Sequence, residues 1–121
     1  MKVIDSSAVS AILFGEPDSE RVVDWISGDP LVAPSLISYE VANTCWKKLL
    51  RHSGQRRKLV EAFTMFPRMA VQPWNVALGD AILLAESEKL TVYDASYLWL
   101  ARRLGVELVT LDRELLAASR R

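Results

Sequence analysis

The chain carries four acidic residues whose neighbourhoods could support chemistry: Asp5, Glu40, Asp94 and Asp112. Carboxylate oxygens are hard ligands, and several of them brought together suit Mg²⁺ or Mn²⁺ in an octahedral oxygen shell. Crowded carboxylates repel one another unless a cation neutralises them, and no Lys or His stands inside these four motifs to do so. Each acid also has a plainer reading. Asp5 and Asp112 each precede a helical pattern, and Asp is a favoured N-cap. Glu40 could be a solvated helix residue beside Val41. Asp94 is harder to explain in that way. Tyr97, Leu98, Ala101 and Gly105 follow it at helical intervals, so it heads a face that should pack inward, where an unpaired carboxylate is costly.

These acids need elements to position them. Val3-Ile4 is a short apolar run ending at Asp5, and Ser6–Leu13 reads as a helix stopped by Gly15-Glu16-Pro17. A second helix, capped by Asp18 or Ser19, runs through Val22, Val23, Trp25 and Ile26. Gly28-Asp29-Pro30 is a turn. Leu31-Val32-Ala33 is a buried strand ended by Pro34. From an N-cap at Ser35, apolar Ile37, Val41, Cys45 and Leu49 recur every fourth residue to about Arg51. Further helices are expected at 55–66, 75–89 and 94–104, the last closed by Gly105. Strands are expected at 70–72 and 108–111, with a terminal helix over 112–119. Short apolar strands alternating with helices predict a parallel sheet covered on both faces, a three-layer α/β/α fold in one domain over residues 1–121. In such sheets sites form outside the carboxyl ends of the strands, and that is where at least Asp5, Glu40 and Asp112 fall.

Composition narrows the function classes. Half of the 121 residues are hydrophobic, which argues against disorder, and 15 basic residues balance 15 acidic ones. A neutral chain is not held on nucleic acid by a strong overall positive field, although a local basic rim remains open to it. The single cysteine, Cys45, cannot form an internal disulfide and reads as a small core residue. The single histidine, His52, has no cysteine partner for a zinc site. The start turns polar at residue 5, and no apolar run approaches a membrane span, so a soluble cytoplasmic protein without a membrane partner is expected. Four tryptophans, Trp25, Trp46, Trp74 and Trp99, lie on or beside expected helices. That is generous for a domain of this size and motivates an apolar interface.

Four segments together resemble the PIN-domain family, and specifically the VapC toxins of toxin–antitoxin pairs. They are Val3-Ile4-Asp5-Ser6-Ser7-Ala8-Val9, Ser38-Tyr39-Glu40-Val41-Ala42-Asn43, Leu90-Thr91-Val92-Tyr93-Asp94-Ala95-Ser96-Tyr97-Leu98 and Leu108-Val109-Thr110-Leu111-Asp112-Arg113-Glu114-Leu115. The resemblance runs from residue 1 to about 117, and none of the acidic positions departs from it. It implies a metal-dependent endoribonuclease in which Asp5, Glu40 and Asp94 hold Mg²⁺ or Mn²⁺, Asp112 supports that metal or a second one, and water attacks an RNA phosphodiester. Ser6 could hydrogen-bond beside the metal. Lys47, Lys48, Arg51, Arg102, Arg103 and Arg113 are the cations available to RNA. The resemblance also implies a homodimer silenced by a VapB-like antitoxin. A silent RNA- or protein-binding module of the same fold is the alternative. A phosphoacceptor receiver lacks its lysine after the late strand, and a phosphatase Asp-x-Asp motif fails at Ser7.

Overall fold

A computed structural model describes all 121 residues. Four parallel strands form one sheet in the order β3-β2-β1-β4, from β1 (Lys2–Ile4), β2 (Leu31–Pro34), β3 (Gln72–Trp74) and β4 (Leu108–Val109). The register pairs Val3 with Val32 on one side and with Leu108 on the other. Seven α-helices connect and follow the strands: α1 (Ser6–Leu13), α2 (Ser19–Ile26), α3 (Ile37–Arg51), α4 (Arg56–Phe63), α5 (Leu78–Glu88), α6 (Val92–Leu104) and α7 (Arg113–Ser119). They pack as two sets, α1 with α2 and α3 and then α3 with α4, against α6 with α5 and α7. One set on each face of the sheet makes the three-layer α/β/α sandwich that the element order implied.

Burial follows from that sandwich. Val3, Ile4, Val32, Ala33, Leu108 and Val109 are covered from both sides, as central parallel strands must be. The stripe Ile37, Val41 and Cys45 turns α3 inward, confirming Cys45 as core. The helix α6 buries Ala95, Ser96, Tyr97, Leu98, Leu100 and Ala101, and ends where Gly105 turns left-handed at φ 66°. That conformation favours glycine over any residue with a Cβ.

The boundaries differ from expectation in instructive places. Ser35 does not cap α3: its amide donates to the Trp74 carbonyl at 3.1 Å and prolongs the β2–β3 ladder, so the helix begins two residues later. The third strand lies at Gln72–Trp74 and includes Pro73, which expectation had placed just beyond it. Proline is tolerated because β3 is an edge strand, where a missing donor need not break a ladder. Trp74 therefore sits on a strand and not on a helix. Of the tryptophans only Trp46 is largely exposed; Trp25, Trp74 and Trp99 pack against the core. The segment expected as one helix to Phe66 stops at Phe63, and a 3₁₀ turn follows over Phe66–Met69. No helix is long and apolar enough to cross a membrane.

Candidate metal centre

The carboxyl edge of the sheet places Asp5 directly after β1 and Thr110 directly after β4. Asp5 caps α1, its Oδ1 accepting from the Ala8 amide at 3.0 Å. Asp112 caps α7, accepting from the Leu115 amide at 2.9 Å. The capping role foreseen for both acids is real, and it does not compete with a site: each cap spends one carboxylate oxygen and fixes the direction of the other. Glu40 lies in the first turn of α3 and Asp94 in the first turn of α6, whose N-cap Thr91 accepts from the Asp94 amide. Helix N-termini favour negative charge, which makes these positions tolerable for acids.

A polar network holds the centre. Ser7 Oγ donates to Asp5 Oδ1 at 2.7 Å and accepts from the Leu111 amide at 3.0 Å. Thr110 Oγ1 donates to Asp5 Oδ2 and accepts from the Asp112 amide at 3.0 Å. The Tyr97 hydroxyl donates to Glu40 Oε1 at 2.6 Å. Asp5 is only 4% exposed and Thr110 1% exposed, so the bond between them is made away from water, and the others are partly buried. Sequence reasoning had noted Tyr97 but overlooked Ser7 and Thr110. The available signal was a hydroxyl residue inside the apolar run Leu108-Val109-Thr110-Leu111, where a buried polar group requires a partner.

The four acids act on one another. Burial pushes the Asp5 carboxyl up despite the hydroxyls and amide that favour its charge, and Asp112 pushes it further. Burial also raises Glu40, with Asp94 and Asp5 adding repulsion. Asp94 is raised by burial and by Asp112, Asp5 and Glu114, the last a fifth acid that the sequence reading did not single out. Tyr97 is held strongly in its protonated, donating form, first by burial and then by Glu40.

None of the four acids forms an ion pair with Lys, Arg or His; the chain's ion pairs lie elsewhere. Nor is any group of three carboxylates gathered tightly enough to enclose an ion unaided. The donors are carboxylate oxygens, the type that hard cations such as Mg²⁺ take alongside several waters.

The cations expected to meet RNA sort themselves. Lys48 pairs with Glu16 at 3.1 Å and stands over the Phe14 ring, and Arg102 pairs with Glu88, so both are engaged. Lys47, Arg51, Arg103 and Arg113 have no carboxylate partner. Arg113 lines a cleft with Arg21, Arg120, Asp18 and Trp25 that reaches Thr110 on the β4 side of the centre. On the β2 side a groove of about 310 Å³ is formed by Leu36, Tyr39, Glu40, Asn43 and Tyr93.

A parallel α/β/α sandwich with acids from four separate segments at its carboxyl edge defines a protein of the PIN class. A family model described as PIN domain matches residues 2–120. The chain is 38% identical to Ribonuclease VapC3 of Pyrobaculum aerophilum, over 93% of this chain and 90% of that protein. It is 30% identical to Exonuclease VapC9 of the same organism (98% and 85% covered) and 32% identical to VapC ribonuclease Mb0985 of Mycobacterium bovis (95% and 88%). The crystal structure of PAE2754 from Pyrobaculum aerophilum superposes with a TM-score of 0.79 at 27% identity, covering 98% of this chain and 84% of that one. The chain belongs to the PIN-domain family and, within it, to the VapC type.

Proposed function

We propose that this protein is a Mg²⁺- or Mn²⁺-dependent endoribonuclease, with Asp5, Glu40, Asp94 and Asp112 as its acidic centre. The observation that carries the reading is a nearly buried Asp5 carboxylate that Asp112 repels, that in turn repels Glu40 and Asp94, and that pairs with no cation. The names of the VapC relatives supply the substrate class, RNA. When bound, Mg²⁺ or Mn²⁺ supplies activation of water and shielding of charge at the phosphate.

The chain's own residues perform the rest. Ser7, Thr110 and the Ala8 amide fix Asp5 with both oxygens directed, while Tyr97 fixes Glu40. Such supporting bonds hold ligand carboxylates in one orientation and are as consequential as the ligands themselves. Asp94, bonded through its backbone only, has the freest carboxylate of the set and is the best placed to accept a proton. Arg113 and Arg120 offer guanidinium groups to phosphates beside the acids.

The test uses purified protein, circular and linear single-stranded RNA, and Mn²⁺ with and without chelator. We expect metal-dependent cutting of the circle, reduced at least about 100-fold in Asp94→Asn. Undiminished cleavage by Asp94→Asn and Asp5→Asn, with contaminating nuclease removed, overturns the site. Cleavage of linear RNA alone makes the enzyme an exonuclease.

The VapC type further supports a homodimer and a VapB-like antitoxin as partner. The exposed Ile82 and Leu83 of α5 are apolar positions consistent with such pairing. Light scattering at micromolar concentration reads the dimer directly, and a strictly monomeric protein refutes it.

A further inference from the structure

Large aromatic side chains are seldom left in water, yet Tyr39 is 80% exposed and Tyr93 64% exposed. Both immediately precede an acid of the centre, Tyr39 before Glu40 and Tyr93 before Asp94. Helical geometry explains the consequence. In a first turn, adjacent residues point about 100° apart, so fixing the acid toward the centre sets its neighbour on the adjoining flank. Because α3 and α6 converge on the same edge, the two tyrosines meet across one groove, and Glu40 forms part of its wall. Neither ring stacks on another ring, since the chain's aromatic pair is Phe63–Phe66.

The groove has a direction. From Tyr39 the exposed face of α3 continues at four-residue steps through Asn43 to Lys47, a ring, then an amide, then a cation without a carboxylate partner. Past Tyr93 it opens into a larger hollow of about 740 Å³ lined by Leu36, Leu78, Asn75 and Val92. Rings, base-edge hydrogen-bonding groups and one cation in line are what a single-stranded nucleic acid presents complements to: flat faces, polar edges and a phosphate at each step. A duplex keeps its base faces stacked internally and cannot use the rings.

We propose that Tyr39 and Tyr93 are base-stacking residues that seat two unpaired nucleobases beside the scissile phosphate, with Asn43 reading a base edge and Lys47 holding a phosphate one turn further along α3. The inference rests on the ribonuclease reading and adds to it the way the substrate is held. The rings act by positioning the strand over the acids, so their loss weakens binding and leaves the chemical step largely intact.

The experiment compares Tyr39→Leu and Tyr93→Leu with Tyr39→Phe and Tyr93→Phe, on one single-stranded RNA and on the same RNA carrying abasic nucleotides beside the cut. Thermal melts confirm folding, which exposed positions should preserve. Base stacking contributes enough per base for a Leu variant to raise KM about tenfold, with kcat within about twofold and Phe restoring the wild-type value. Abasic RNA should impose the same penalty on wild type and little more on the Leu variants, because the stacking partner is already gone. Fluorescence anisotropy of labelled RNA reads the same affinity loss independently of cleavage. Unchanged KM and affinity in both Leu variants, with cleavage intact, overturns this inference alone and assigns the exposed rings to a protein contact. A fall in kcat that Phe does not rescue also overturns it. RNA that is neither bound nor cut by wild type refutes the ribonuclease reading as well.

Discussion

Replacing Thr110 by valine keeps the shape of a fully buried side chain and removes one hydroxyl. That hydroxyl donates to Asp5 Oδ2 and accepts from the Asp112 amide, so it joins the first and fourth acidic segments across the β1–β4 seam. A hydrogen bond to a charged group contributes about 1.5–3 kcal/mol, and valine offers the Asp112 amide no replacement acceptor. The expected loss is about 2–3 kcal/mol where Asp5 is charged. With a urea slope of about 1–3 kcal/mol/M for a domain of this size, the unfolding midpoint should fall by about 0.7–3 M. The loss should also depend on pH in a defined direction. The Thr110 bond is the strongest of the contacts that favour charged Asp5, so removing it raises the folded pKa of Asp5 beyond its already raised position. Below the folded pKa of Asp5, where the group is protonated in both proteins, that part of the deficit is absent. It grows as pH rises through the wild-type folded value. Thr110→Ser should recover most of the stability. Equal midpoints for wild type and Thr110→Val, or a deficit that shrinks as pH rises, would refute the role given to this bond.

Other outcomes follow from the same centre. Tyr97→Phe deletes the donor to Glu40 and should weaken Mn²⁺ binding about 10- to 100-fold, measured by calorimetry, without moving the RNA affinity of the arginine cleft. Asp5, Glu40 and Asp94 all bind protons more tightly when folded, so their contribution to stability should be greatest at acid pH and decline as pH rises above the ordinary carboxylate range; a pH profile of melts that is the same for wild type and Asp94→Asn without metal would contradict the crowding. Mn²⁺ at about 100 times its dissociation constant should add about 2.7 kcal/mol and flatten that decline. An unchanged melting temperature at saturating metal would remove the acids' assignment as ligands.

Much of this was legible because the acids sit where chain pattern and sheet geometry coincide. A run that ends in Asp5, and another that leads to Asp112, put those residues at strand ends whatever the details of packing. Glu40 and Asp94 were legible through helix phase, since Val41 and the Tyr97–Leu98 pair fix which way each first turn faces. The illegible parts depend on tertiary context. Pro73 reads locally as a strand terminator, and only the outer place of β3 in the sheet makes it acceptable. Ser35 has every local mark of a cap, but a neighbouring strand 39 residues later takes its amide. The pairing of Lys48 with Glu16 and of Arg102 with Glu88, which engages two of the candidate RNA-facing cations, joins residues with no sequence relation.

The position of β4 beside β1 has a temporal meaning. The donor that completes the Asp5 carboxylate lies 105 residues downstream of it. At translation rates of about 5–20 residues per second, roughly 5–20 s separate the synthesis of the first acid from that of its last support. Contacts this distant in sequence also form late in folding, after nearer ones have reduced the search. An RNA-cutting enzyme is made on a particle built of RNA and threaded with messenger. The proposed centre stays unfinished until the β4 segment has been made. The same seam joins the first and fourth acidic segments in the finished protein, so the two segments keep their relative position only while β4 stays paired with β1.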